Sequence, residues 1–505
     1  MRQDSSPGET PVALAAASVG NAPVGPPAVA GQAEGTVALS RLRPVGFRAV
    51  LPRPRVAVGP VAGRIALATL ILGTLVVVVF ATAGPSVLVP RSAQMFPTWE
   101  SGPLHNLFGR LITSPTALGL VFSGLLVVML AAYIVALAAA RMLSMRAIVI
   151  CILALHALLL LSPPLQLSDL FNYIGYARLG ALHHLNPYTH VIRGELHDPV
   201  FRFTSWHNLR SPYGPLFTAI TYLVSFTSLP VAYWTLKIVT VLLSLAFLGL
   251  VWYCAKRLGR DPRFAVLFVA ANPIYLIYEV GGFHNDFFML VPSMAAIALL
   301  LARRDRLAGA SLMVAVAVKF TAVLLLPFLL MAARPMRRKL QILVGAAVAA
   351  VPLIALSLTL FGFSIPNLSD QSSLLTDFSF PNLFGLLIGI GGGTPGLLHL
   401  ASFAVVLVVA YEVYRRRDWL TSAGWCTFAL IASLAWLVPW YVVWLLPLAA
   451  LGTSVRLRRV ALVLTVFLVL TFLPATSLYL ADHGINLLSS SVGQASKSRQ
   501  HKLAQ

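Results

Sequence analysis

Long apolar runs, each close to the length of a bilayer-crossing helix, alternate with short polar stretches along most of the chain. They lie near 61–83, 116–140, 147–163, 231–255, 264–280, 286–302, 339–361, 397–414, 420–436, 439–455 and 459–481. Two stretches break the rhythm. Residues 213–229 (YGPLFTAITYLVSFTSL) are apolar but short, and 307–332 are apolar yet carry Lys319 in their middle. Counting these as well, the pattern predicts an all-α protein, a polytopic transmembrane helical bundle of about 12–14 membrane segments.

Composition agrees: 58% of residues are hydrophobic and 10% charged, and the mean hydropathy is +0.84. The formal charge of +21 would point to nucleic acid in a soluble chain. Here the Lys and Arg residues cluster in short loops between apolar runs, where they set orientation and meet anionic headgroups. Membrane lipid is therefore the expected partner, and nucleic acid is not. Cys151, Cys254 and Cys426 sit in or at the ends of apolar runs without metal-ligand spacing, which argues against a disulfide framework or a zinc site.

Charge bias also orders the segments. Residues 1–60, rich in Ala, Pro, Gly and Val, with Arg41, Arg43, Arg48, Arg53 and Arg55, read as a disordered basic cytoplasmic tail. A multi-pass domain follows over 61–481, then a disordered C-terminal tail over 482–505. If 213–229 crossed the membrane, Lys256, Arg257, Arg260 and Arg263 would fall outside. Residues 213–229 are therefore expected along the outer leaflet, within one large external region, 164–232, which leaves those four charges inside. Residues 307–332 have Arg303, Arg304 and Arg306 on one flank and Arg334 to Lys339 on the other. A single crossing would split these flanks, so a short hairpin or broken helix with Lys319 near its tip is expected.

Three polar groupings converge on the external side. In "SDLFNYIGYARLGALHHLNPY" (168–188), Asp169, Asn172, Tyr173 and Tyr176 share one helical face, with Ser168 as the N-cap and Arg178 close behind. In "NPIYLIYEVGGFHND", Glu279, His284 and Asp286 surround a Gly281-Gly282 break. Lys319 lies deep in apolar sequence, at a cost of about 2.5–3.5 kcal/mol on the insertion scale, which marks it as a functional candidate. Tyr213, in "SPYGPLF", joins the candidate substrate-binding set. Interfacial tyrosines, a solvated turn and a snorkelling lysine are the structural alternatives.

An external carboxylate, a buried cation and aromatic faces suit sugar transfer from a lipid-linked phosphate donor. The leaving phosphodiester needs charge neutralisation rather than protonation, which Lys319, or Arg178, Arg202 or Arg210, could supply. The acceptor hydroxyl needs a base as it attacks C1, and Asp169 takes that role. One carboxylate with a phosphate leaving group inverts the anomeric centre, unlike glycoside hydrolysis, which requires a second acid. Tyr173, Tyr176 and Trp206 are candidates to stack on sugar faces.

These stretches, with "VKFTAVLLLPFLL" and "PWYVVWLLP", resemble in order those of the actinobacterial polyprenyl-phosphomannose-dependent α-(1→6)-mannosyltransferases of the GT-C glycosyltransferase superfamily. The resemblance covers roughly 60–480. It implies a GT-C type fold with juxtamembrane helices, a polyprenyl-phosphate-β-mannose donor, a mannan-type glycolipid or glycan acceptor and an external active site whose catalytic acid is Asp169. Many GT-C enzymes carry two acids there, whereas here Asp169 is followed by Leu170 and Phe171. A metal-independent enzyme without a cofactor is expected, the lipid-linked sugar being a co-substrate. The main rival is a transporter or flippase of lipid-linked sugars, which would show matching broken spans in two halves. Related transferases moving arabinose, rhamnose or glucose satisfy the same chemistry.

Overall fold

The computed structural model describes residues 58–89, 96–166, 168–366, 368–416 and 418–504. The basic tail expected over 1–60 lies outside them apart from its last three residues, because the first helix begins at Pro60. All regular elements among the described residues are helical. Proline opens many of them: Pro60, Pro115, Pro215, Pro262, Pro395 and Pro474 each stand in the first turn, where a missing N–H costs nothing. Ser114 and Asp261 add side-chain caps to two of these starts, and Ser144, Asp418 and Ser454 cap others.

Five helices are long and apolar enough to cross a bilayer: Pro60–Ala81, Pro115–Ala138, Leu229–Arg257, Met336–Phe361 and Pro395–Arg415. The number rises to seven if each of two bent pairs is one span. By length and composition alone these are fewer than the about 12–14 membrane segments expected, a count that also took in shorter apolar runs. The apolar runs are present, but several are interrupted. Asn272-Pro273 bends Pro262–Ala270 against Ile274–Val280 by 53°, and Leu473-Pro474 bends Val455–Thr471 against Pro474–Asp482 by 58°. Met145–Leu161 and Asp286–Leu301 are shorter apolar helices. Pro215–Ser225 has 11 residues, about 16 Å of helix against roughly 30 Å of hydrocarbon, so it cannot cross.

The centre is formed by two elements buried on all sides and apolar but for Glu279 and the hydroxyls of Tyr275 and Tyr278. Every residue of Ile274–Val280 and of Val442–Leu451 is buried, as an all-round hydrophobic helix requires. Around them, Met336–Phe361 and Pro395–Arg415 leave most of their apolar side chains uncovered by protein.

Residues 305–338 leave and return. Asp305–Val318 rises to a break at Lys319, whose backbone is extended, and Phe320–Leu325 and Leu326–Ala332 lead back. The two ends meet where Arg338 Nε donates to Asp305 Oδ2 at 2.7 Å. Asp305–Val318 then lies directly against Met336–Phe361. A Cβ on Gly309 would sit 1.9 Å from the Ile342 carbonyl oxygen, and one on Gly345 1.8 Å from that of Arg306. Small residues permit this approach, and the broken helix expected from charge bias has Lys319 at its turn.

The segment expected as a disordered C-terminal tail, 482–505, is corrected too. It carries the helix Ser491–Ala504, whose Leu503 is buried against Leu209 and Leu374. The helix is polar enough to read as unstructured, and only this docking reveals it.

Candidate active site

Pro163 and Pro164 stop Met145–Leu161 and turn the chain across the end of the Ile274–Val280 helix. There the first two sequence groupings are stapled together. Leu165 N donates to Gly281 O at 2.8 Å, and Ser168 Oγ donates to Gly282 O at 2.9 Å. Ser168 Oγ also accepts from Leu170 N at 3.2 Å, a capping bond, although the N-cap position itself belongs to Asp169. Tyr173 Oη accepts from Asn285 N at 3.1 Å. Asp169 is therefore fixed at the start of Leu170–Ala181, half-buried, with its Oδ1 accepting from Trp206 Nε1 at 3.3 Å.

Asp286 and Lys319 meet on the other side of this seam. Lys319 Nζ donates to Asp286 Oδ1 at 2.7 Å, with the lysine side chain 24% exposed and the carboxylate 1%. Trp444 Nε1 donates to the same oxygen. The ammonium also stands over the rings of Trp444 and Tyr441, 4.7 and 5.3 Å from their centroids, which favours a cation. His284 stacks on Trp440 with centroids 3.8 Å apart.

Asp169, Tyr173, Tyr213, His284, Asp286 and Lys319 all line one cavity of about 1030 Å³. Trp206, Trp436, Trp440, Tyr441 and Trp444 supply aromatic faces, and Met313, Val316, Leu353 and Ile354 an apolar flank. Burial, then the negative charges of Asp169 and Asp286, push the Tyr173 phenol well above its ordinary value. It stays neutral, a hydroxyl held by the Asn285 N–H at the cavity wall.

Four other expected site residues stand behind the cavity rather than in it. Asn172 is buried, its carbonyl accepting from Ser205 N at 3.1 Å. Tyr176 is buried with Oη donating to Leu209 O at 2.7 Å, which removes it as a stacking ring. Arg178 Nε donates to Asp198 Oδ1 at 2.9 Å, so its charge is spent on the fold of the region between Leu161 and Leu229. Glu279 is wholly buried in the Ile274–Val280 turn, neither oxygen having a protein hydrogen-bond partner. The shared face expected for Asp169, Asn172, Tyr173 and Tyr176 therefore turns mainly into protein. Helical spacing predicts a common face but not which neighbour covers it.

Sequence reasoning left Trp436, Trp440, Tyr441 and Trp444 out of the site. The available signal was the aromatic density of "PWYVVW" after a proline in otherwise apolar sequence. Among the described residues, no three His, Cys, Asp or Glu side chains gather to hold a metal ion. Cys151, Cys254 and Cys426 are buried free thiols.

Residues 70–335 match a family model described as alpha-(1->6)-mannopyranosyltransferase, N-terminal domain. Alpha-(1->6)-mannopyranosyltransferase A of Mycobacterium tuberculosis is 28% identical over 338 residues, 60% of this chain and 64% of that protein. Its namesake from Corynebacterium glutamicum is 36% identical over 134 residues, 24% of this chain and 26% of that protein. Alpha-(1->6)-mannopyranosyltransferase B of C. glutamicum is 24% identical over 348 residues, covering 58% of this chain and 56% of that protein. The chain thus spans less than two thirds of each of these relatives. No solved structure matches. Asp169, His284, Asp286 and Lys319 lie inside the family match, while Trp436 to Trp444 and the C-terminal helix lie beyond it.

Proposed function

The chain belongs to the alpha-(1->6)-mannopyranosyltransferase family, and on that premise we propose that it is an integral membrane glycosyltransferase. It transfers mannose from a polyprenyl-phosphate-mannose donor to a mannan or lipoglycan acceptor at the extracytoplasmic face of the cell membrane. The observation that carries this reading is the sharing of one partly apolar cavity by Asp169, the Lys319–Asp286 pair and a wall of tryptophans.

Each group has a task. Asp169, oriented by Trp206, accepts the proton of the acceptor hydroxyl as its oxygen attacks C1 of mannose. The C1–O bond to phosphate breaks with its electrons going to the phosphate, which leaves as an anion. Lys319 has three N–H groups; one engages Asp286, leaving others to stabilise the phosphate charge as it develops. Asp286 and Trp444 fix where that ammonium points. Attack opposite the leaving group turns a β-linked donor into an α-linked product. Tyr173, Tyr213 and His284, with Trp206 and Trp436, offer hydroxyl, imidazole and ring contacts to the two sugars. This scheme uses no metal and no cofactor beyond the lipid-linked co-substrate.

The test is a membrane assay with radiolabelled polyprenyl-phosphate-mannose and a short mannoside acceptor. Wild type is expected to transfer, and Asp169→Asn to lose activity by about 10²–10⁴-fold, the usual worth of a general base, with folding unchanged. EDTA is expected to leave the wild-type rate intact. Transfer surviving in Asp169→Asn would move the base to another group, His284 or Asp286 first. Loss on chelation that added metal restores would overturn the metal-free scheme.

A further inference from the structure

We propose that the C-terminal helix Ser491–Ala504 is a strap that walls the acceptor side of the cavity, positions Trp206 and selects the acceptor through Gln500. This rests on the mannosyl-transfer reading above. The helix has few apolar side chains of its own, so the contacts that hold it are specific. Leu503 is buried with Leu209 and Leu374, and Trp206 and Trp436 pack on that trio. Asn208 N donates to Leu503 O at 3.0 Å and Asn208 Nδ2 to Lys502 O at 2.9 Å. Leu375 N donates to Ser496 Oγ at 2.7 Å, and Arg499 Nη2 to Asp370 Oδ1 at 2.8 Å. Gln500 and Ala504 then face the cavity as part of its lining.

The strap stands on the base side of the site. Its Leu503 anchor belongs to the cluster on which Trp206 packs, and Trp206 donates to Asp169, which serves the acceptor hydroxyl. Lys319, which serves the phosphate, is held by other elements, the Asp286–Leu301 helix and Trp444, beside the apolar flank of Met313, Val316 and Leu353. A lipid-linked donor matches that flank, and a hydroxyl-rich sugar matches the Gln500 amide, which both donates and accepts. Trp206 and Trp436 lie with ring centroids 6.2 Å apart at 77°, giving the same wall two aromatic surfaces. Gln500 is accordingly a specificity residue, and Leu503 is a positioning residue that acts through Trp206.

The test uses the full chain in nanodiscs, with the three native cysteines replaced by alanine and Ser205→Cys as a reporter in the cavity. Maleimide labelling at that site is expected to quicken about tenfold in Leu503→Asp, because the element covering it opens more often. Arg499→Asp should quicken it as well, and adding Asp370→Arg should slow it again. In a Ser205 background, tryptophan fluorescence then reports binding of a short mannoside and, separately, of the donor. Gln500→Ala is expected to weaken mannoside binding about fivefold, near one hydrogen bond's worth, and Leu503→Asp about tenfold or more. Donor affinity should stay within about twofold in both. Labelling that ignores Leu503→Asp, or donor and mannoside affinities that fall together, would overturn the strap. A wild type that transfers no mannose would instead overturn the reaction reading, with the labelling arm still deciding whether the helix covers the cavity.

Discussion

Gly214 ties the segment before Pro215–Ser225 to the break at Lys319. Its N–H donates to Val318 O at 3.1 Å, and a Cβ there would stand 2.3 Å from the Ala317 carbonyl oxygen and 2.5 Å from that of Val318. Backbone oxygens cannot step aside as a side chain can, so only glycine lets the Ser-Pro-Tyr-Gly-Pro turn sit on the break that presents Lys319. Gly214→Ala should cost about 1–3 kcal/mol, seen as a lower Tm in detergent, and should raise KM for the donor more than KM for the acceptor. Gly124→Ala, where a Cβ meets nothing within 4 Å, is the control and should leave both unchanged. An unchanged donor KM in Gly214→Ala would detach this turn from the positioning of Lys319. At this scale the sequence was informative where charge met apolar surroundings: Asp169 and Lys319 stand out because a bilayer-spanning chain cannot carry them for nothing. For Trp440, Tyr441 and Trp444 it offered only aromatic density, which does not say where the rings face. An aromatic side chain in an apolar run looks the same whether it faces lipid, core or cavity, and only packing tells them apart.

Among the elements, the region between Leu161 and Leu229 is tied together by one carboxylate, Asp198. Burial alone would raise the Asp198 carboxyl. Hydrogen bonds from Arg178, His183 and Val200 N, with the charge of Arg178, outweigh it and hold the group below its usual value. A carboxyl lowered on folding contributes its full stability above the ordinary aspartate range, near pH 4. That contribution fades as pH falls through the lowered folded value. Asp198→Asn should therefore lower Tm at pH 7, by an amount corresponding to about 1–3 kcal/mol for charge-assisted bonds. The gap between wild type and variant should close as pH drops below about 4. A gap that persists in acid would show that packing, not charge, holds this region. Arg178 was read as a substrate ligand because a basic residue near an external acid invites that role; its partner lies 20 residues away in a stretch without periodicity. Charge bias did identify the short Pro215–Ser225 helix and the broken one at Lys319, since each would otherwise have put arginines on the wrong side. It could not see bends at Asn272-Pro273 and Leu473-Pro474, which leave hydrophobicity unchanged.

For the whole molecule, the cavity's use depends on which side of the membrane it opens toward. Asp305 and Arg338 meet at one end of the hairpin that carries Lys319. Gly214 and Val318 meet at its turn, next to the segment bearing Asp169. Basic flank and active cavity therefore occupy opposite ends of the same element. On the proposed reading Arg303, Arg304 and Arg306 at the flank are cytoplasmic, as charge bias favours, and the cavity then opens outward, where a lipid carrier can present a sugar without nucleotide chemistry. Single cysteines at His197 and Arg304, both exposed, decide the matter in a cysteine-free background. A membrane-impermeant thiol reagent on intact cells should label His197→Cys and leave Arg304→Cys untouched until the cells are permeabilised. The reverse pattern would put Asp169 in reach of the cytosol. The cavity would then face nucleotide-sugar pools, and a lipid-phosphate donor would no longer be the chemistry that Lys319 and the apolar flank beside it call for.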